Sequence, residues 1–170
     1  MSNLSFGFGI LLITMGTRYR GRPDEVRALD AFIKLLRATT SVTNRLERFL
    51  DKEGLTESQF GVLEALLHLG PLCQRELSAK ILRSGANVTT VVDNLEKRKL
   101  VRRARESEDR RFVTVHLADE GRALVEKALP DHVGRIVEVF AGLEAKELAA
   151  LGELCKKLGL SVAALDEAAH

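Results

Sequence analysis

The chain has 170 residues, which allows one domain or a small domain with extensions. It is 45% hydrophobic, 5% aromatic and free of tryptophan, with a net charge of only +2 and just two cysteines. Those cysteines, Cys73 and Cys155, are too far apart in sequence for a disulfide framework or a Cys-x-x-Cys metal site, so a reducing, cytoplasmic compartment fits best.

No glycine-rich phosphate loop follows a strand pattern, and there is no Gly-x-Ser-x-Gly elbow. The four histidines, at 68, 116, 132 and 170, never pair at i, i+4 and never sit beside cysteine at ligand spacing. Neither a metal nor a cofactor is expected, and the histidines read as surface or half-buried residues.

Residues 1–20 contain the apolar run Ile10–Ile13, which is far too short to span a bilayer. A secretory signal would carry positive charge ahead of that run, yet nothing before Arg18 is charged. Pro23 suits the first position of a helix, where Asp24 and Glu25 complement the dipole. Val26, Leu29, Phe32, Ile33, Leu36, Val42, Leu46, Phe49 and Leu50 then predict a long helix to about Lys52, broken by Gly54. These apolar groups are too many for one side of a small domain, and burial by a second subunit explains them economically. Thr56-Glu57-Ser58-Gln59 is a capping box with Leu55 and Phe60 as its staple, opening a helix that stops at Gly70-Pro71. The next helix opens in the same way, with Leu72 and Leu77 as the staple and Cys73-x-x-Glu76 in the place of the box.

Residues 73–117 read as two short helices joined by a tight turn, followed by a basic two-stranded hairpin. Ser84 is the expected N-cap of the second helix, in which Val88, Val91, Val92 and Leu95 share one face. The other face carries Ala86, Asn87, Thr89, Thr90, Asp93, Asn94 and Lys97, all small or hydrogen-bonding. Such a helix suits a DNA major groove, although an ordinary amphipathic surface helix has the same pattern. From Lys97 to Arg111, eight basic and three acidic residues give +5, leaving −3 for the rest of the chain. Charge gathered beside a polar helix face is the footprint of polyanion binding, with a solvated basic face as the alternative. The expected strands are Val101–Arg105 and Arg111–Leu117, with Val113, Val115 and Leu117 pointing inward. Asp119–Phe140 predicts a second long helix that Pro130 should kink. Leu143–Leu158 predicts a last one, ahead of a short alanine-rich tail; Cys155 reads as a core residue within it.

Leu95-Glu96, Leu100-Val101, Arg103, Asp109-Arg110-Arg111, Leu117 and Gly121 together resemble the signature of MarR-type winged helix-turn-helix regulators. The likeness runs from about residue 25 to residue 160. Within the family it is strongest to repressors of quinone, catechol and organic-peroxide resistance genes, through the run Ile81–Val101 and the terminal Lys156–Leu160. The resemblance implies a symmetric dimer on a palindromic operator, with each wing tip in a minor groove and Asp109 orienting Arg111. Two departures stand out. Cys73 replaces a usual Thr or Ser cap, and Lys99 replaces a usual glycine, where a left-handed lysine would cost about 1 kcal/mol. Relatives often begin like Met15–Gly21, so Met15 reads as the natural start; the alternative is a hydrophobic arm packing on the dimer.

The expected fold is therefore mainly α with a small β wing: a winged helix-turn-helix flanked by N- and C-terminal dimerisation helices. Residues 1–22 form an extension, 23–54 a dimerisation helix, 55–118 the DNA-binding domain, 119–160 further dimerisation helices and 161–170 a tail. The expected function is sequence-specific DNA binding that regulates transcription, with repression relieved by a phenolic or quinone effector or an oxidant, as in a stress response. Ser84, Ala86, Asn87, Thr89, Thr90, Asn94, Lys97, Arg110 and Arg111 are the expected DNA contacts. Cys73 is a candidate redox sensor, because a helix N-terminus favours a thiolate. A winged-helix scaffold for protein partners is the alternative. A methyltransferase that dimerises through a winged helix would need a nucleotide-binding domain after the wing, where this sequence continues as helix.

Overall fold

The structure, a computed structural model, describes residues 16–81, 85–105 and 113–168. Helix α1 spans Pro23–Leu50 and ends in a 3-10 turn, Asp51–Glu53. Helix α2 spans Glu57–Leu69, strand β1 Leu72–Cys73, helix α3 Gln74–Ile81 and helix α4 Gly85–Lys97. Strands β2 (Val101–Arg105) and β3 (Val113–Leu117) lead to helices α5 (Asp119–Phe140) and α6 (Ala145–Ala168). The chain divides into two compact units, residues 1–132 and 133–170. No helix among the described residues is long and apolar enough to cross a membrane.

Local chemistry sets the boundaries in the first unit. Pro23 stands in the first turn of α1, and the Arg22 N–H donates to Glu25 Oε2 at 2.9 Å. Gly54 stops the 3-10 turn in a left-handed conformation, φ +65°, that only glycine adopts cheaply. The box at α2 forms on both sides: Thr56 Oγ1 accepts from the Gln59 N–H at 3.2 Å, and Gln59 Oε1 accepts from the Thr56 N–H at 3.1 Å. Leu55 and Phe60 are both buried, as a staple requires.

The sheet has three strands in the order β1-β3-β2, all antiparallel, where the sequence predicts two. Leu72 faces Val115 and Cys73 faces Thr114. A two-residue strand is too short to register as a period, and its backbone pairs because Leu72 is drawn onto the core. In the second strand pair Val101 faces Leu117, Arg103 faces Val115 and Arg105 faces Val113. Alternation therefore puts Arg103 on the same face as the fully buried Val115.

The core of this unit joins Leu55, Leu63 and Leu66 to Leu77, then to Val88, Val92 and Leu95 of α4, and to Val101, Val115 and Val125. The end of α4 is its most constrained corner. Lys99 takes φ +59°, so the strain is accepted and the turn does not change. The Leu100 N–H reaches the Leu95 carbonyl at 3.0 Å, closing the helix and tucking Leu100 into the core. Gly121 then lies against the Leu100 carbonyl so closely that a Cβ there would stand 2.0 Å from the oxygen.

In the second unit α6 runs on to Ala168, well past the Leu158 end expected from sequence. Alanine is the best helix former, so an alanine-rich tail extends the helix as readily as it ends it. Cys155 is exposed on α6, not in the core. Helix α5 continues through Pro130, which stands inside it.

Two substitutions at this corner should move stability in opposite directions. Gly121→Ala should cost about 1–3 kcal/mol, because backbone and not a flexible side chain occupies the space. Lys99→Gly should stabilise by up to about 1 kcal/mol. Thermal melts of the three proteins test both, and a Gly121→Ala protein that melts with wild type would show that the contact relaxes.

Candidate nucleic-acid interface

Helix α4 separates cleanly into two faces. Val88, Val92 and Leu95 are completely buried, while Asn87, Thr89, Thr90, Asn94 and Lys97 are exposed. These side chains lie along about 15 Å of one helix flank, a length that fits within a major groove. Ser84, Asp109, Arg110, Arg111 and the side chain of Ala86 lie outside the described residues, so the structure brings together five of the expected contacts.

Asp93, on the polar flank by sequence, is turned to another purpose. Arg103 Nη2 pairs with Asp93 Oδ1 at 2.5 Å, and its Nη1 pairs with Glu96 Oε2 at 2.5 Å. The Arg103 N–H also donates to Glu96 Oε1 at 2.9 Å. One strand residue thus grips two successive turns of α4 through side chain and backbone together. Burial alone would lower the pKa of Arg103, but the hydrogen bonds and charges of Asp93 and Glu96 outweigh it and raise it.

The basic run is therefore not one free patch. Arg98 Nη1 donates to the Gly54 carbonyl at 2.7 Å, tying the end of α4 to the α1–α2 turn. Arg98 and Arg103 thus serve contacts within the domain, which a count of charge by sequence does not show. Lys97, Arg98, Lys99 and Arg102 are all exposed among the described basic side chains of the run, but Arg98 is bound to the Gly54 carbonyl. Arg102 stands 3.4 Å from His116 Nδ1, whose other ring nitrogen is 3.0 Å from Thr114 Oγ1, so the outer wing face is polar.

Sequence reading missed a second polar surface. A groove between α3 and α4 is lined by Gln74, Arg75, Ser78 and Thr89. The only signal for Gln74, Arg75 and Ser78 was their place in the first turns of the helix that precedes α4. At that same helix start the Cys73 N–H donates to Glu76 Oε2 at 2.7 Å, completing one side of the expected box. The Cys73 thiol also hydrogen-bonds that carboxylate, and the two contacts hold the Glu76 carboxyl below its ordinary pKa.

Away from these surfaces, a cavity of about 440 Å³ opens along α2 toward Ile81 and His132.

The MarR family model matches residues 53–111, from the end of the 3-10 turn into the wing. The HTH-type transcriptional regulator MhqR of Bacillus subtilis is 33% identical over 135 residues, covering 79% of this chain and 93% of that protein. Among solved structures, Bordetella bronchiseptica BpsR, whose DNA binding is regulated by 6-hydroxynicotinic acid, superposes with a TM-score of 0.69 at 31% identity, covering 74% of this chain and 95% of that one. The Streptomyces coelicolor regulator Sco3205, solved in complex with DNA, shares the fold with a TM-score of 0.74 at 24% identity, over 84% of this chain and 90% of its own.

Arg103→Ala should loosen α4 from the wing without removing a phosphate contact. The expected result is a stability loss of about 1 kcal/mol, discounted for partial exposure, with DNA affinity down roughly ten-fold and its salt dependence unchanged. A salt slope lower by about one with stability intact would instead make Arg103 a direct phosphate contact.

Proposed function

The chain belongs to the MarR family of transcriptional regulators, and from that premise we propose that it is a homodimeric repressor held on a palindromic operator and released by a small aromatic effector. The relatives it matches are transcriptional regulators and not enzymes, which sets aside the methyltransferase reading.

The observation that carries the proposal is the polar flank of α4, clamped to a basic wing by Arg103. In this reading Asn87, Thr89, Thr90 and Asn94 face base edges, as do Ser84 and Ala86 at the helix start. Lys97 reaches a phosphate, Arg110 and Arg111 reach the minor groove, and Asp109 holds Arg111 in place. Gln74 and Arg75 join the phosphate contacts, since the first helix of such a pair crosses the backbone.

A dimer is supported by surface that a monomer would leave wet. Phe32 and Leu36 of α1 are 59% and 55% exposed, and Leu154 and Leu158 of α6 are 65% and 51% exposed. Large apolar groups in such numbers mark an interface. Two recognition helices about 34 Å apart would then enter successive major grooves. The effector is inferred from BpsR, which responds to a small aromatic compound. On the same ground, release by reversible binding is preferred to oxidation of Cys73.

Sedimentation should show a dimer at micromolar concentration, and a stable monomer would remove the basis for this geometry. Thr90→Ala should relax base preference by about 1–3 kcal/mol at one position. Arg111→Ala should weaken binding while lowering the salt slope by about one or less. Cys73→Ser should still leave DNA when a peroxide or quinone is added only if the thiol is not the switch, and a serine protein that no longer responds would restore Cys73 as the sensor.

A further inference from the structure

On a duplex, one sugar–phosphate strand separates a major groove from the neighbouring minor groove. A chain that puts a helix in the first and a hairpin tip in the second must cross that strand between them. In this protein the crossing is made by residues 98–105, from the end of α4 to the end of β2. Of the cations around it, Arg98 holds the Gly54 carbonyl and Arg103 holds Asp93 and Glu96. Lys97, Lys99 and Arg102 are exposed, and no carboxylate among the described residues pairs with them.

Lys99 is held in a way the fold does not require. At φ +59° it is the one residue other than glycine with a positive φ among the described residues. The turn closes through backbone, from the Leu100 N–H to the Leu95 carbonyl, without help from the lysine side chain. Glycine would make the same turn unstrained. Strain kept where an unstrained residue would serve points to a use for the side chain.

Arg102 is placed from the neighbouring strand. The register sets it opposite His116, and directly opposed residues share a face of the sheet. Alternation makes that the face away from the grip of Arg103 on α4. A guanidinium only donates, so His116 Nδ1, 3.4 Å from Arg102 Nη2, accepts, and the ring hydrogen sits on Nε2. Nε2 then donates to Thr114 Oγ1 at 3.0 Å, and the Thr114 hydroxyl donates to the Ala104 carbonyl at 3.3 Å. Donor meets acceptor at every step, so the imidazole orients Arg102 along the outer face of the wing.

We propose that Lys99 and Arg102 form a phosphate clamp at the root of the wing, gripping the strand between the two grooves, with His116 as the positioning residue for Arg102. The clamp rests on the DNA-binding reading above and adds contacts that orient the protein without reading bases.

The test is binding of the full chain to two duplexes, the DNA upstream of its own gene and one of unrelated sequence, over a range of salt. Lys99→Gly should melt no lower than wild type, yet bind both duplexes roughly three- to ten-fold more weakly, with the salt slope lower by about one per protomer. Lys99→Arg keeps the charge and should recover most of that loss. Arg102→Ala should weaken both duplexes alike. His116→Leu should weaken them too, but no further once Arg102 is alanine. His116→Gln should recover the loss, since its amide can accept from Arg102 and donate to Thr114. Wild-type affinity and slope in both Lys99→Gly and Arg102→Ala would overturn the clamp and leave the DNA-binding reading standing. A loss confined to the upstream DNA would make these base contacts and overturn it equally. His116→Leu binding as wild type does would remove the positioning role, and a wild-type protein without salt-dependent binding would overturn both readings.

Discussion

The grip of Arg103 on Asp93 and Glu96 is the contact on which the DNA-facing surface depends. A winged helix presents two elements to the duplex, a helix and a hairpin, joined by a turn that strains one residue at Lys99. Apolar packing of Val88, Val92 and Leu95 fixes which face of α4 is hidden. It does not by itself fix the angle between helix and wing. A guanidinium held in two places by carboxylates one turn apart does, because its fork is planar and its donors are directional. The backbone hydrogen bond from Arg103 to Glu96 adds a third point of attachment, so rotation of β2 against α4 would break all three.

A second set of contacts places that rigid unit within the domain. Arg98 holds the Gly54 carbonyl, and Gly121 seats the first turn of α5 against Leu100. The termination of α4 thus serves three neighbours at once. Strain at Lys99 persists because a relaxed turn would withdraw Leu100 from the core and from Gly121.

Much of this was legible from residue order. Period and punctuation located every helix start that has a proline or a capping box, and alternation marked Val115 as the inward residue of the wing. The failures share a cause. Strand β1 is two residues long and exists only by pairing with β3, which no local pattern shows. Arg98 and Arg103 look like any other arginines in a basic run, and only the register of β2 reveals that Arg103 points inward. Helix α6 outran its expected end because alanine and glutamate carry no stop signal. The groove at Gln74 and Arg75 and the cavity at Glu57, Glu64 and His132 are made by residues from separate helices, so neither has a sequence motif. Resemblance to a family supplied the roles expected of Asp109 and Arg111, which residue chemistry alone leaves open.

The central claim is that this basic, clamped surface holds duplex DNA through its phosphates. Binding to the DNA upstream of its own gene, measured across a series of salt concentrations, tests it most directly. The account predicts that the logarithm of the association constant falls linearly with the logarithm of salt, with a slope on the order of 5 or steeper for the dimer. A slope near zero, or no binding at low salt, would contradict it and favour a winged-helix scaffold for protein partners.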